Sequence, residues 1–267
     1  MAFKTETYFP GVYHIADAMG VCMTLVVGQK QAVLIDAGYG LESVSDAVAA
    51  LTGLPCRLIL SHGHHDHALG ARWFDRVWLH PDDLPVYHRY TDVPQRRLVL
   101  ANAQSRGLAV DEDSFLNAVM PEPEPIQAET IDLGGLSLEV LPCPGHTRGS
   151  LVFYVPEYRL LLTGDDWNPT TWLFFPEALG VSDYLRNMKA LFAGCGFRHV
   201  LCSHSQALYG RETVEAFFGG LSPDSLAAAQ PCPEGDPRGI RTGRCVPAEG
   251  QQFIFDLDKY CEGKRDE

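Results

Sequence analysis

The stretch Ser61-His62-Gly63-His64-His65-Asp66-His67-Ala68-Leu69-Gly70 constrains this chain more than any other. Histidines at 62, 64, 65 and 67 and the carboxylate of Asp66 fall directly after the apolar run Arg57-Leu58-Ile59-Leu60. A short apolar run ahead of a polar, glycine-containing segment reads as a buried strand leaving into a loop. Along near-extended chain the side chains at i and i+2 point the same way, so His62 and His64 converge on one point. Asp66 and His67 lie where the chain is expected to turn into a helix over Ala68–Phe74, facing the same cavity from another side. Imidazole nitrogen and carboxylate oxygen suit zinc, iron or manganese. The competing reading is a solvated loop with scattered histidines. It is disfavoured because uncompensated histidines are seldom packed this closely beside an acid unless a cation holds them.

With 267 residues, 46% hydrophobic and 21% charged, the chain can bury the core of one large α/β domain or two small ones. Its formal net charge of −13 argues against a nucleic-acid or anionic-membrane binder, which needs a basic face. Met1-Ala2-Phe3-Lys4-Thr5-Glu6 has no apolar signal core and no segment is long enough to span a bilayer, so a cytoplasmic location is expected. None of the eight cysteines forms a CxxC pair. Cys143 and Cys202 flank suspected ligands but read as small buried hydrophobes, and Cys232 and Cys245 are expected to stay unpaired.

Short β-branched runs at Val12–Ile15, Cys22–Val27 and Ala32–Ile35 read as an antiparallel meander. The third runs into Asp36-Ala37-Gly38, and Leu41–Leu51 follows at helical spacing. Strand Arg57–Leu60, the histidine loop and strand Val77–His80 come next. Residues 81–125 change character, with helix from about Gln95 to Ser105 and a stiff close at Pro121-Glu122-Pro123-Glu124-Pro125. They read as an inserted helical lid, too short for a core of its own. Two hairpins then bracket Pro142-Cys143-Pro144-Gly145-His146, at 130–141 and 151–162, and the second ends in Thr163-Gly164-Asp165-Asp166. Helices at Tyr184–Phe192 and Arg211–Phe218 enclose strand His199–Cys202, which leads into Ser203-His204. Residues 222–250 read as irregular, with a closing strand at Gln252–Leu257.

The loop at 62–67, His146, Asp165 and His204 each sit just past the end of an apolar strand. In this ordered set the chain resembles the metallo-β-lactamase fold superfamily. The matching motifs are His62-Gly63-His64-His65-Asp66-His67, Pro144-Gly145-His146, Leu161-Leu162-Thr163-Gly164-Asp165, His204 and Leu34-Ile35-Asp36-Ala37-Gly38. The resemblance implies a four-layer αββα sandwich, an α/β fold with the helical lid inserted into a single domain. It also implies two divalent metal ions at the sandwich edge, zinc first, with iron or manganese as alternatives. Carried over position by position, His62, His64 and His146 hold the first, while Asp66, His67 and His204 hold the second. Asp165 bridges them, with Asp166 as its competitor. His65 then faces away, His14 and His199 belong to the core, and His80 and His88 border the lid. Asp36 either orients a ligand or caps the following turn.

Such a pair of cations activates a water held between them, so the expected function is a hydrolase using a metal-bridging hydroxide. The bond attacked is ester-like: a thioester, lactone or phosphodiester of a small molecule. Asp66 is the candidate catalytic residue, orienting or relaying a proton. In true β-lactamases a cysteine or serine stands where this chain has Asp165, which argues against antibiotic hydrolysis. The alternative of a different class is a non-haem iron oxidoreductase such as a sulfur dioxygenase. Arg89, Arg96 and Arg97 in the lid are candidates to attract an anionic substrate group, with Arg238, Arg241 and Arg244 as a weaker second set.

Overall fold

The computed structural model describes residues 3–232 and 239–263. Unbroken apolar runs build its centre. In β4 (Ala32–Ile35), Val33 and Ile35 face one way while Ala32 and Leu34 face the other, and all four are buried. A strand buried on both faces needs a layer on each side. Here the inner layer is a second sheet and the outer layer is helical.

The first sheet runs in the order β1 (Lys4–Phe9), β2 (Val12–Ala16), β3 (Cys22–Val27), β4, β5 (Cys56–Ile59), β6 (Val77–Leu79) and β7 (Glu124–Pro125). The chain meanders antiparallel through β1–β4 and then pairs parallel from β4 to β7. The second sheet contains β8 (Glu129–Asp132), β9 (Ser137–Pro142), β10 (Leu151–Val155), β11 (Leu160–Leu162), β13 (His199–Cys202) and β14 (Ser205–Gly210). Between the sheets, Val12, Val26, Val33, Ile35 and Ile59 meet Leu138, Val140, Leu151, Phe153, Leu160, Leu162 and Leu201. Each such side chain taken from water contributes about 1.5–3 kcal/mol before chain entropy is charged against it.

Helices cover both outer faces. Val44 and Val48 of α1 (Val44–Leu51) close over the outer residues of β3–β5. On the other side, α6 (Val181–Gly194) and α7 (Arg211–Gly220) pack Tyr184, Met188, Val214 and Phe217 against Val152, Leu161 and Val200. The result is the expected αββα order. A third sheet flanks this second helical layer: β12 (Thr170–Leu173), β17 (Gln252–Asp256), β16 (Thr242–Cys245) and β15 (Gln230–Pro231). It places strands inside the stretch 222–250 that reads as irregular, and α8 (Pro223–Ala227) lies there too. The chain ends its described part in α9 (Leu257–Gly263), so β17 stops one residue short of the expected Leu257.

The insertion is helical from Pro81 to Leu116, as a 3-10 turn (Pro81–Asp83), α3 (Leu84–Tyr90), α4 (Val93–Ser105) and α5 (Glu112–Leu116). The proline-rich close that reads as a spacer ends instead in β7, whose Glu124 and Pro125 pair with Trp78 and Leu79. The helix expected over Ala68–Phe74 is also displaced: α2 spans His65–Ala68, and Leu69–Trp73 is a 3-10 helix. The ligand-type residues themselves form the first turn. Among the described residues no helix is long and apolar enough to cross a membrane.

Candidate metal centre

Five chain segments leave the two central sheets at one edge. β4 delivers Asp36, β5 delivers Ser61 to His67, β9 leads to His146, β11 leads to Asp165, and β13 leads to His204. Hydrogen bonds stitch this edge shut, from Leu151 N to Ser61 O at 2.8 Å and from Cys22 N to Ser203 O at 2.8 Å. Seven side chains there form two adjoining groups: His62, His64 and His146, and Asp66, His67, Asp165 and His204.

In the first group the ring nitrogens face one another. His64 Nδ1 lies 3.1 Å from His62 Nε2 and 3.0 Å from His146 Nε2. Their outer partners fix which nitrogen carries the proton. His146 Nδ1 is 2.7 Å from the Trp172 carbonyl, which can only accept, so Nδ1 is the protonated atom. His64 Nε2 is 2.6 Å from a Glu177 carboxylate oxygen, which leaves Nδ1 bare. Ser61 Oγ donates to Asp36 Oδ2 at 2.8 Å and therefore accepts from His62 Nδ1 at 3.0 Å. Three bare nitrogens thus point at one place among buried side chains, where their lone pairs repel unless a cation lies between them. Zinc–nitrogen bonds of about 2.0–2.1 Å put two ligands of one ion roughly 3 Å apart, so the donor set fits a divalent metal.

Burial first, then the neighbouring imidazoles, push His62 well below its ordinary value. Burial holds His146 down to about 4, although Asp165 pulls the other way. These two rings are neutral and ready to bind metal at neutral pH.

The second group is more strongly charged. Asp165 Oδ2 lies 3.1 Å from His204 Nε2, 3.4 Å from His67 Nε2 and 3.6 Å from His146 Nε2, so one oxygen faces both groups. Asp66 Oδ2 is 3.5 Å from His204 Nε2 and 3.6 Å from His67 Nε2. His67 Nδ1 donates to Asp36 Oδ2 at 2.9 Å, and its buried Nε2 has no hydrogen-bond partner. Burial opposes the charge on His67, but Asp165, Asp66 and Asp36 outweigh it and hold this ring well above its ordinary value. His204 is raised in the same way, by Asp165 first among the charges that outweigh burial. The same histidines hold Asp165 well below the usual carboxylate range despite its burial.

A difference in proton release follows. At pH 7, loading the second group should expel protons from His67 and His204, whereas His62 and His146 have none to lose. Affinity at the second group should rise with pH until His67 is neutral, while His62 and His146 add no such slope in that range. Calorimetry of metal binding in two buffers of different ionisation enthalpy measures this. Equal proton release in both steps would sink the assignment.

Several outer positions are set by residues that motif spacing does not reveal. Asn168 Nδ2 donates to Asp165 Oδ1 at 3.1 Å, and Asn168 Oδ1 accepts from the His204 amide at 2.9 Å. Asp83, fully buried at the start of the insertion, accepts from Gly63 N at 2.6 Å and Gly149 N at 3.0 Å, tying both histidine loops together. Gly63 permits this approach, since a Cβ there would lie 2.4 Å from the Tyr87 amide nitrogen. Asp36 takes the left-handed region at φ 63°, which Asp tolerates better than most residues. Its two oxygens serve Ser61 and His67, so of its two readings the orienting one describes its contacts.

The remaining candidates lie elsewhere. His65 stacks on Tyr90 at 5.7 Å and is in neither group. Asp166 accepts from the His146 amide at 2.9 Å and belongs to neither group. His14 is buried between Thr24 and Ser205, while His199 packs against Phe9. His80 accepts from the Asp82 amide, and His88 pairs with Glu122. Cys143 and Cys202 are buried thiols outside both groups, and Cys232 and Cys245 are free.

Arg96 is spent on structure. It is 7% exposed and donates to the carbonyls of Thr91, Leu116 and Ala118, which closes the insertion on itself. Tyr87 is likewise buried, its hydroxyl on the Pro121 carbonyl. Arg97 is exposed, and Arg89 pairs with Glu177 at 3.4 Å. Arg241 pairs with Asp258, Arg244 lies on β16, and Arg238 falls outside the described residues.

The mouth of the site lies over the second group. His204 is 37% exposed there, and a cavity of about 150 Å³ is lined by Asp165, Asn168, Thr170, Trp172 and His204.

The chain is similar to several known proteins in sequence and in fold. The acyl-coenzyme A thioesterase MBLAC2 of Bos taurus is 29% identical over 186 residues, which cover 62% of this chain and 65% of that protein. The chain thus spans slightly less than two thirds of that relative's length. A metallo-beta-lactamase family protein from Thermus thermophilus superposes with a TM-score of 0.60 at 24% identity, over 82% of each chain. The sec-alkylsulfatase Pisa1 from Pseudomonas sp. superposes at 0.62 and 18% identity, over 82% of this chain and 40% of that one. The family model of the Metallo-beta-lactamase superfamily matches residues 17–165, from the loop after β2 to Asp165 itself. By sequence and by fold, this chain belongs to the metallo-beta-lactamase superfamily.

Proposed function

We propose that this protein is a dinuclear metal-dependent hydrolase of small-molecule, ester-like substrates, with thioesters as the leading class. The observation that carries the reading is Asp165 Oδ2, placed within 3.1 to 3.6 Å of histidines from both groups. Such a shared carboxylate neutralises two neighbouring cations in part and fixes their separation. The thioesterase activity named for the relatives supports the substrate class.

His62, His64 and His146 would hold one ion, and Asp66, His67 and His204 the other, with Asp165 between. Bound divalent ions, zinc or iron among them, would supply Lewis-acid polarisation of the carbonyl and a water acidic enough to attack it near neutral pH. The chain's own residues supply the rest. Asp36, Ser61, Glu177 and the Trp172 carbonyl fix the ring orientations, and Asn168 holds the Asp165 carboxylate. Asp66, with a 15% exposed side chain, would orient water or pass a proton to the leaving group. Phe175 packs against His64 and His146, ring centroids 4.8 and 5.4 Å away, and keeps water from that side. Tyr90, its ring 4.5 Å from that of His64, roofs the site from the insertion.

The test uses protein purified without chelator under anaerobic conditions, its metal quantified, then assayed on acyl thioesters, lactones and phosphodiesters. Thioester turnover that disappears with chelation and returns with metal is expected. Oxygen consumption with a persulfide, and none of these hydrolyses, would place the protein with the oxidoreductases instead.

A further inference from the structure

Glu177 lies well outside the residues matched by the family, on the segment between β12 and α6, yet it touches the first histidine group. It is a buried carboxylate with three partners. Its Oε1 is 2.6 Å from His64 Nε2, its Oε2 is 3.4 Å from Arg89 Nη1, and the Tyr90 hydroxyl also hydrogen-bonds it. Arg89 and Tyr90 both belong to α3 of the insertion, and the Tyr90 ring packs on His64. One carboxylate therefore joins a metal-type histidine to the helix that covers it.

We propose that Glu177 is a positioning residue through which docking of α3 and metal binding at the His62–His64–His146 group strengthen each other. This rests on the reading that the group holds a divalent ion. The carboxylate fixes the ring angle and tautomer of His64 and makes its Nδ1 a better donor. Arg89 and Tyr90 in turn fix the carboxylate, which would otherwise be free to rotate toward water. Because coupling between two binding events is reciprocal, a metal that holds His64 in place also holds Glu177, and with it α3. Asp83 anchors the start of the insertion to Gly63 and Gly149 independently, so α3 can loosen without the insertion leaving.

The test combines zinc competition against a chromophoric chelator with amide hydrogen exchange over residues 84–90. Glu177→Gln should weaken zinc at the first group by about 10–100-fold, the range typical of lost carboxylate–histidine–metal contacts, and change the second by less than about threefold. Zinc should slow exchange across α3 in the wild type and fail to do so in the variant. Arg89→Met keeps the His64 contact and removes one of the two ties to α3, leaving the Tyr90 hydrogen bond, so it should show a smaller affinity loss and a partial loss of protection. It also serves if Glu177→Gln folds poorly.

Wild-type zinc affinity in both variants, or an α3 that ignores zinc in the wild type, would overturn the coupling. So would equal loss at both groups accompanied by a lower melting temperature of the metal-free protein, which marks a merely structural role. A wild type that binds no metal at all would instead overturn the metal reading, and the coupling with it.

Discussion

Asp165→Ala is expected to lower bound metal from about two ions per chain to about one and to reduce turnover by at least about a hundredfold. The Oδ2 atom is the only carboxylate oxygen placed near histidines of both groups among the described residues. Without it the second group keeps Asp66, His67 and His204, but two cations would face each other without their shared anion. The first group should survive, because Ser61, Glu177 and the Trp172 carbonyl hold its three rings and none depends on Asp165. The loss of the Asn168 contact costs about 1 kcal/mol, too little to unfold the chain. Metal content after dialysis against a buffered zinc concentration separates the outcomes. Retention of both ions and of turnover would remove Asp165 from the bridging position.

Much of this centre is legible from local pattern because its geometry is local. His62 and His64 converge because extended chain repeats every two residues, and the 3.1 Å between their ring nitrogens is that periodicity made visible. The two-sided burial of β4 and β11 is likewise written in unbroken apolar runs, Ala32–Ile35 and Leu160–Leu162. The ordered appearance of His146, Asp165 and His204 after strand ends is visible too, although only the packed sheets bring those ends to one edge.

What escaped lacks a local signal. Glu177 reaches His64 across 113 positions, and no spacing rule links them. Trp172 acts through its carbonyl, which every residue possesses. Asn168 could have been suspected, since it lies three residues after Asp165, but a short polar residue there reads as an ordinary turn. α2 was displaced because apolar periodicity begins only at Ala68, while Asp66 and His67 already take helical conformation to aim at the site. Proline and glycine density between 222 and 250 hid β15 and β16: β16 pairs along the edge of β17, and β15 along that of β16. β12 did carry a signal, the alternating Thr170-Thr171-Trp172-Leu173 with its second and fourth residues buried.

Asp66→Asn is expected to lower kcat by about 10²–10³ while leaving KM within about threefold, when both proteins are compared at saturating metal. Asparagine keeps the shape and can still coordinate through its carbonyl oxygen, but it brings no charge and cannot take a proton. Burial alone would raise the Asp66 carboxyl, but His67, His65 and His204 hold it down at about 2. In an unfolded chain the group titrates near about 3.9, so its charge contributes fully above that value and fades as pH falls toward 2. Across the neutral range it is ionised throughout. The ratio of wild-type to variant turnover should therefore stay level from about pH 6 to pH 9. Any acid-side fall belongs to the ligand histidines, whose protons compete with metal, and it should set in at lower pH in the variant because the Asp66 charge helps raise His67 and His204. A proton relay predicts a loss in kcat, whereas a residue that merely gathers substrate would raise KM and spare kcat. An unchanged kcat would take Asp66 out of the chemistry: with a raised KM it gathers substrate, and with an unchanged KM it is a metal ligand only.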